Sequence, residues 1–244
     1  MKTIVKIASL FVLCVYFSSC TTTLYTSNAV NVPLMREKGE VKFNLTQNDL
    51  QAAGAITNNI GLMANGHFKN YKDGNYKHGG YLGEAGIGYF KPVQDNPNLI
   101  FETYGGLGMG HVYKQQEFSS PGNGQTYLGK FETDAGKLFI QPSIGYASRY
   151  FDLAFTPRFS MIKYMNFSAE AYPENQLRDD YLYNNELTRS PYFFAEPAIT
   201  IRGGYKYVKL QAQYGLTLNL GNRIRHEPTF GSMGLIFDLA KWYK

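Results

Sequence analysis

The 244-residue chain carries 24 Lys and Arg against 19 Asp and Glu, a formal charge of +5, and 16% of it is aromatic. Its length suffices for one large domain with a buried core, its composition excludes a disordered chain or a coiled coil, and its two cysteines exclude a disulfide scaffold. A mean hydropathy of −0.30, with one long apolar run at the amino terminus, excludes a bundle of membrane-crossing helices.

Lys2 and Lys6 precede an apolar run from Ile7 to Phe17, and small residues follow. This is the layout of a secretion signal, too short and wrongly flanked for a spanning helix. The run ends Phe17-Ser18-Ser19-Cys20, which resembles a bacterial lipobox, with Phe17 where Leu is usual. On that reading residues 1–19 are removed, Cys20 is acylated and becomes the mature amino terminus, and residues 20–39 form a lipid-anchored tether. The other reading is an ordinary signal peptide followed by a chance cysteine. Acylation of Cys20 and loss of Cys14 with the signal leave no free thiol, so thiol catalysis and cysteine-metal sites are excluded.

From residue 40 to 244 the dominant pattern has period two, the signature of strands. Over 208–220, Val208, Leu210, Ala212, Tyr214, Leu216, Leu218 and Leu220 share one face, opposite Lys209, Gln211, Gln213, Gly215, Thr217 and Asn219. The same alternation runs through 151–161 and 193–202. It predicts about ten strands, near 40–46, 50–57, 60–69, 79–90, 99–113, 137–149, 151–164, 192–203, 205–220 and 230–240, with eight or twelve as neighbouring even counts. Short links are expected at Asn58-Asn59, 91–98, Tyr150 and Gly204. Longer ones are expected at 70–78, 114–136, 165–191 and 221–229, although the first hairpin, at Gln47-Asn48-Asp49, is short.

Meandering strands with alternating short and long links are the layout of an antiparallel up-and-down transmembrane β-barrel, with short turns on the periplasmic side and long loops outside. An even strand count then places both termini on the periplasmic side, where an inner-leaflet anchor at Cys20 would start. The competing fold is a soluble sandwich or lipocalin-like barrel with its apolar face inward. The polar face favours the membrane: it is mostly small and amide side chains with isolated charges, rather than the dense Lys, Glu and Asp of a wet exterior. Several strands also exceed the roughly 9–11 residues that cross a bilayer at a tilt. Tyr89, Phe101, Tyr113, Tyr146, Phe151, Tyr164, Tyr192, Tyr207 and Tyr214 fall near strand ends, as an interfacial girdle would. Pro142, Pro157 and Pro197 fall on the apolar face, where each removes a ladder donor, so bulges are expected there.

Ser232-Met233-Gly234-Leu235-Ile236-Phe237-Asp238-Leu239 resembles the last-strand signal recognised by the outer-membrane barrel assembly machinery, through Ser232, Gly234, Phe237 and Leu239. Together with the lipobox, Asn31-Val32-Pro33-Leu34, the stretch Asn58-Asn59-Ile60-Gly61-Leu62-Met63 and Phe139-Ile140-Gln141-Pro142-Ser143-Ile144-Gly145, the chain is similar to small outer-membrane β-barrel lipoproteins of Gram-negative bacteria. The resemblance implies fold and location, and no catalytic residue.

The inward face is expected to carry Lys42, Glu84, Glu102, Asp152, Arg158, Glu196, Arg202, Lys209 and Asp238. Charges of both signs can pair in a narrow interior, where an unpaired charge is very costly. Barrels of about eight strands are filled by side chains, so ten lies nearer a filled lumen than a channel. His67, His78, His111 and His226 lack metal-ligand spacing and sit near no nucleophile motif. Gly105-Gly106-Leu107-Gly108-Met109-Gly110 lacks the Lys-Ser/Thr of a phosphate loop; its inward glycines make room for bulky neighbours. No basic cluster with interleaved aromatics points to nucleic acid, and no cofactor is implied. The 165–191 loop, with Tyr172, Asp179, Asp180, Tyr181 and Tyr183, is the candidate partner surface or a weak Ca²⁺ site, and Arg223, Arg225 and His226 could pair with it across the mouth. The expected role is a non-enzymatic structural or accessory lipoprotein in the outer-membrane lipid, within a larger complex. A narrow solute channel and a lipid-modifying enzyme are the alternatives.

Overall fold

The computed structural model describes residues 23–120, 124–180, 182–183 and 186–240. The signal segment and Cys20 lie outside them. The alternating stretches form strands β1 (Val41–Thr46), β2 (Asp49–Ala55), β3 (Ile60–Asp73), β4 (Tyr76–Val93), β5 (Asn96–Ser119), β6 (Thr126–Ala147), β7 (Phe151–Glu170), β8 (Tyr192–Tyr205), β9 (Val208–Leu216), β10 (Leu218–Asn219) and β11 (Thr229–Leu239). Each pairs antiparallel with its neighbours, and β11 pairs with both β9 and β1, so the sheet closes on itself. β10 continues β9 against β8 in the same register, Ala198 opposite Gly215 and Ala195 opposite Leu218. The barrel therefore has ten staves in an up-and-down meander that closes on itself.

The wall is inside-out relative to a water-soluble fold. Along β9 the buried positions are Lys209, Gln211, Gln213 and Gly215, while Val208, Leu210, Ala212, Tyr214 and Leu216 face outward. β7 repeats this with Asp152, Ala154, Thr156, Arg158 and Ser160 inside and Phe151, Leu153, Phe155 and Phe159 outside. Among the described residues forty large apolar or aromatic side chains are well exposed, far more than the few hundred Å² of apolar patch that a soluble monomer leaves bare. Large inward rings are seated over glycine. A Cβ on Gly88 would come 2.4 Å from the Tyr104 ring, and one on Gly106 would come 2.5 Å from Phe139.

Residues 23–40 depart most from expectation. Residues 20–39 are expected to form a tether, yet Leu24, Tyr25 and the stretch from Ser27 to Met35 are all buried. The segment enters at the long-connection end, where Leu24 and Tyr25 donate their backbone N–H groups to Arg225 O. It threads the lumen and reaches the short-turn end, where Arg36 bonds Ala147 O and Lys38 N bonds Asn58 Oδ1. A turn at Gly39, with φ of 89°, a value that suits a residue without Cβ, then reverses the chain into β1. The even stave count does bring the start of β1 and the end of β11 together, Val41 opposite Leu239. Thr23 and Ala240 nevertheless lie at opposite ends, because the threaded segment crosses the barrel before β1 begins.

Three local expectations change. The links expected at 70–78 and 114–136 are mostly strand, because β3 to β6 run on past the apolar belt. The alternation of polarity fades there in the sequence, although Lys114, Phe131 and Thr133 stay buried on the inner face. The turn expected at Gly204 falls two residues later, with Lys206 at φ 48°. Pro142, Pro157 and Pro197 make no bulge. The offset of the flanking pairs puts Pro142 opposite Pro157, where the β6–β7 ladder lapses without a shift, and Pro157 stands opposite Pro197 in an unbroken β7–β8 register. The register shift of β6 against β7 falls instead between Glu132 and Asp134, facing Asn166 at φ 53°.

Candidate functional site

The candidate site is the lumen with its threaded segment, together with the covered mouth above it. An extended chain that pairs with no strand must satisfy its backbone polar groups in another way. Here wall side chains stand in for a neighbouring strand. Gln213 accepts from Val30 N at 2.7 Å through Oε1 and donates to Val30 O at 2.9 Å through Nε2. Gln51 donates to Ala29 O at 2.8 Å, and Gln141 to Asn31 O at 2.6 Å. Arg158 donates to Asn28 O at 2.9 Å, and Arg202 to Val32 O at 2.6 Å. Glu102 accepts from Leu34 N at 2.8 Å, and Lys42 donates to Leu34 O at 3.2 Å. The segment's apolar side chains pack in the gaps: Val30, Val32 and Leu34 against Ile100, Ala154, Ala198 and Phe230, and Met35 against Phe90, Tyr104 and Phe139.

The buried charges fall into two groups. Nearer the mouth, Arg158 Nε bonds Glu196 Oε2 at 2.7 Å, and Lys137 Nζ lies 2.9 Å from Glu84 Oε1. Glu196 also accepts from Tyr25 at 2.5 Å, from Ser160 at 2.6 Å and from Ser27. Asn28 bridges the pairs, donating to Glu84 at 2.8 Å and accepting from Lys137 at 2.9 Å. Two cations here meet two anions. Nearer the short turns, Lys42 pairs with Asp238 at 2.9 Å and Lys209 with Asp152 at 2.7 Å. Arg202 Nε donates to Gln211 at 2.8 Å, and Glu40 lies 3.7 Å from Lys42.

All nine charged residues assigned to the lumen from sequence are buried there. The structure adds Lys137 and Glu40, which stood at the edges of expected strands, and it adds the threaded segment itself. The absence of any charge from Thr21 to Met35 was the available signal, since a solvated tether rarely runs so long without one.

The connection 171–191 covers the mouth and holds two short helices, α1 (Glu174–Asp179) and α2 (Glu186–Arg189). Leu182, Leu187 and Tyr172 turn inward and join Leu24, Tyr25, Phe131, Tyr164, Tyr192, Phe194 and Ile224 in one apolar cluster. Arg225 fastens the cap, bonding Asp179 O at 2.8 Å and lying 3.2 Å from Asp180 Oδ1. Of the three basic residues expected to pair across the mouth, Arg225 does so, whereas His226 bonds Ile224 O at 3.0 Å. Tyr172, expected to meet a partner, is instead buried and donates to Asp180 Oδ2 at 3.3 Å. Burial and the neighbouring Asp180 carboxylate hold its phenol well above the usual value, so it stays a neutral donor. Asp180 is likewise buried. Asp179 is exposed, Tyr183 lies beneath the Arg178 guanidinium at 4.0 Å, and Tyr181 falls outside the described residues. No three His, Cys, Asp or Glu gather as metal ligands among the described residues.

Beside the cap a cavity of about 650 Å³ opens between the wall and the start of the threaded segment, lined in part by His67, Lys69, Tyr71, Tyr76, Lys114 and Tyr164. His67 bonds Asp49 at 2.8 Å, Lys69 bonds Glu227 at 2.7 Å, and Lys114 donates to the Tyr172 hydroxyl at 3.2 Å. His111 bonds Asp134 at 2.9 Å. Among the described residues no serine or threonine hydroxyl is hydrogen-bonded to either imidazole.

Two further expectations concern the rim and the seam. Tyr164 and Tyr192, counted with the girdle, are buried in the mouth cluster, whereas Tyr89, Phe101, Tyr146, Phe151 and Tyr207 are exposed around the short-turn end. Of the last-strand residues, Phe237 and Leu239 face outward and Ser232 and Gly234 inward, on the strand that seals against β1. No family profile, curated protein or solved structure matches this chain.

Proposed function

We propose that this protein is a non-enzymatic β-barrel lipoprotein of the outer membrane. In this reading it is anchored through Cys20, sealed by its own amino-terminal segment, and presents its long-connection end to a larger membrane complex. One observation carries the reading: a closed wall that is apolar outside and polar inside surrounds a lumen already occupied by residues 24–35. Closed barrels satisfy every backbone group without water, which suits them to lipid. The loosely matched last-strand signal and the lipobox support insertion by the barrel assembly machinery and membership among small Gram-negative barrel lipoproteins. A solute path is disfavoured because the amides and charges that would line it bond the threaded segment instead.

Conductance across planar bilayers tests this directly. The full chain is expected to give no discrete openings, and a chain lacking residues 23–35 to give solute-dependent ones. Steady openings from the full chain would overturn the sealed lumen.

A further inference from the structure

The path of residues 23–40 fixes where an anchor at Cys20 can sit. Contacts along the segment progress in one direction. Tyr25 pairs as a parallel bridge with His226 in the 220–228 connection, and Leu24 O accepts from Tyr164. Asn28 then meets Glu84 and Lys137, Val30 meets Gln213, and Leu34 meets Glu102. Arg36 and Lys38 finish at the short turns. Thr23 therefore stands at the mouth beneath the long connections, while Ala240 stands at the other end.

Cys20 lies three residue steps from Thr23, a reach of about 10 Å at full extension. The hydrocarbon core is about 30 Å thick, and the route back through the barrel is filled by the chain itself. We propose that the acylated amino terminus and the long connections emerge on the same face of the membrane, opposite the short turns and the carboxy terminus. The acyl chains of Cys20 then enter the leaflet on the long-connection side. With long connections facing outward, as barrels of this kind place them, that is the outer leaflet. The barrel thus carries its anchored end across the membrane, and anchor and cap are displayed together.

This inference rests on the lipoprotein-barrel reading above, and one set of variants separates the two. Thr23→Cys, Asn175→Cys in α1 and Arg149→Cys in a short turn each give a single reactive thiol, since Cys14 leaves with the signal and Cys20 is capped. A small charged, membrane-impermeant methanethiosulfonate is applied to intact cells and, separately, after lysis. Thr22→Cys replaces Thr23→Cys if that variant does not show the heat-modifiable gel mobility of a folded barrel.

The expected result is that positions 23 and 175 label equally before and after lysis, and that position 149 labels only after it. Labelling of 175 but not of 23 in intact cells would overturn the shared face. The reverse pattern, with 149 labelled in intact cells and both others only after lysis, keeps the shared face but refutes the outward loops of the proposed function. Metabolic labelling with a fatty-acid probe, lost in Cys20→Ser, is expected in parallel. Its absence from the unaltered chain would remove the anchor and the inference with it.

Discussion

Glu196 shows how much one lumen residue holds. Its carboxylate receives the Arg158 guanidinium, the hydroxyls of Ser160 and Ser27, and the Tyr25 phenol, so it ties β7 and β8 to the threaded segment. Removing one partner of a buried pair leaves the other charge uncompensated, a loss of about 3–5 kcal/mol. Glu196→Ala is therefore expected to lower unfolding stability in detergent micelles by that order, read from the denaturant midpoint. The double variant Arg158→Met, Glu196→Leu is expected to recover most of it, because no bare charge remains. The charged positions were legible in the sequence because each falls on the polar side of an alternating run. Their bonding was not. Arg158, Arg202 and Lys42 read as partners for carboxylates, yet each also donates to a backbone carbonyl of a segment with no visible period. A chain surrounded on all sides has no exposed face, so neither a two-residue nor a 3.6-residue repeat marks it.

At the level of the strand, the alternation fixes which face is which, and the outward face carries its own test. Ile199 on β8 is 51% exposed and stands opposite Phe155 and Tyr214, within the apolar belt. Ile199→Arg is expected to cost about 2–4 kcal/mol in lipid vesicles if it lies near the midplane. At a water-exposed site such a change stays within about 0.5 kcal/mol. Refolding titrations in vesicles measure the difference, and a neutral outcome would mean that this face meets water. Strand existence was readable throughout, since a wall with one apolar and one polar face enforces period two. Strand ends were not readable where the contrast fails, as at Tyr71, Lys72 and Tyr76, which lie beyond the apolar belt with polar neighbours on both faces. The row of Pro142, Pro157 and Pro197 also misled. Prolines opposite prolines share their missing donors, and the register passes through them unchanged.

Taken whole, the molecule has two unlike ends. The short-turn end is tight and ringed with exposed aromatics. The other end rises on β4 to β7 and is roofed by 171–191, which sits on its own apolar cluster and is fastened by Arg225. Arg225→Ala is expected to speed tryptic cleavage at Arg178 while the barrel's thermal unfolding midpoint stays the same, as followed by gel shift and circular dichroism. Equal loss of both would show that roof and barrel unfold as one unit.

The seam between β1 and β11 joins the first strand to the last, and the threaded segment is joined to β1 by a single turn. A cylinder sealed beforehand would have to admit that segment end-on from the short-turn end, past Phe90, Tyr104 and Phe139. A segment laid down early instead offers its carbonyls to Gln51, Gln141 and Gln213 as their staves arrive. On that order of events it would act as a mandrel, around which the sheet is wound before its last edges meet. Closing contacts so distant in sequence is intrinsically slow, and the mandrel keeps the half-built interior from standing empty in the meantime.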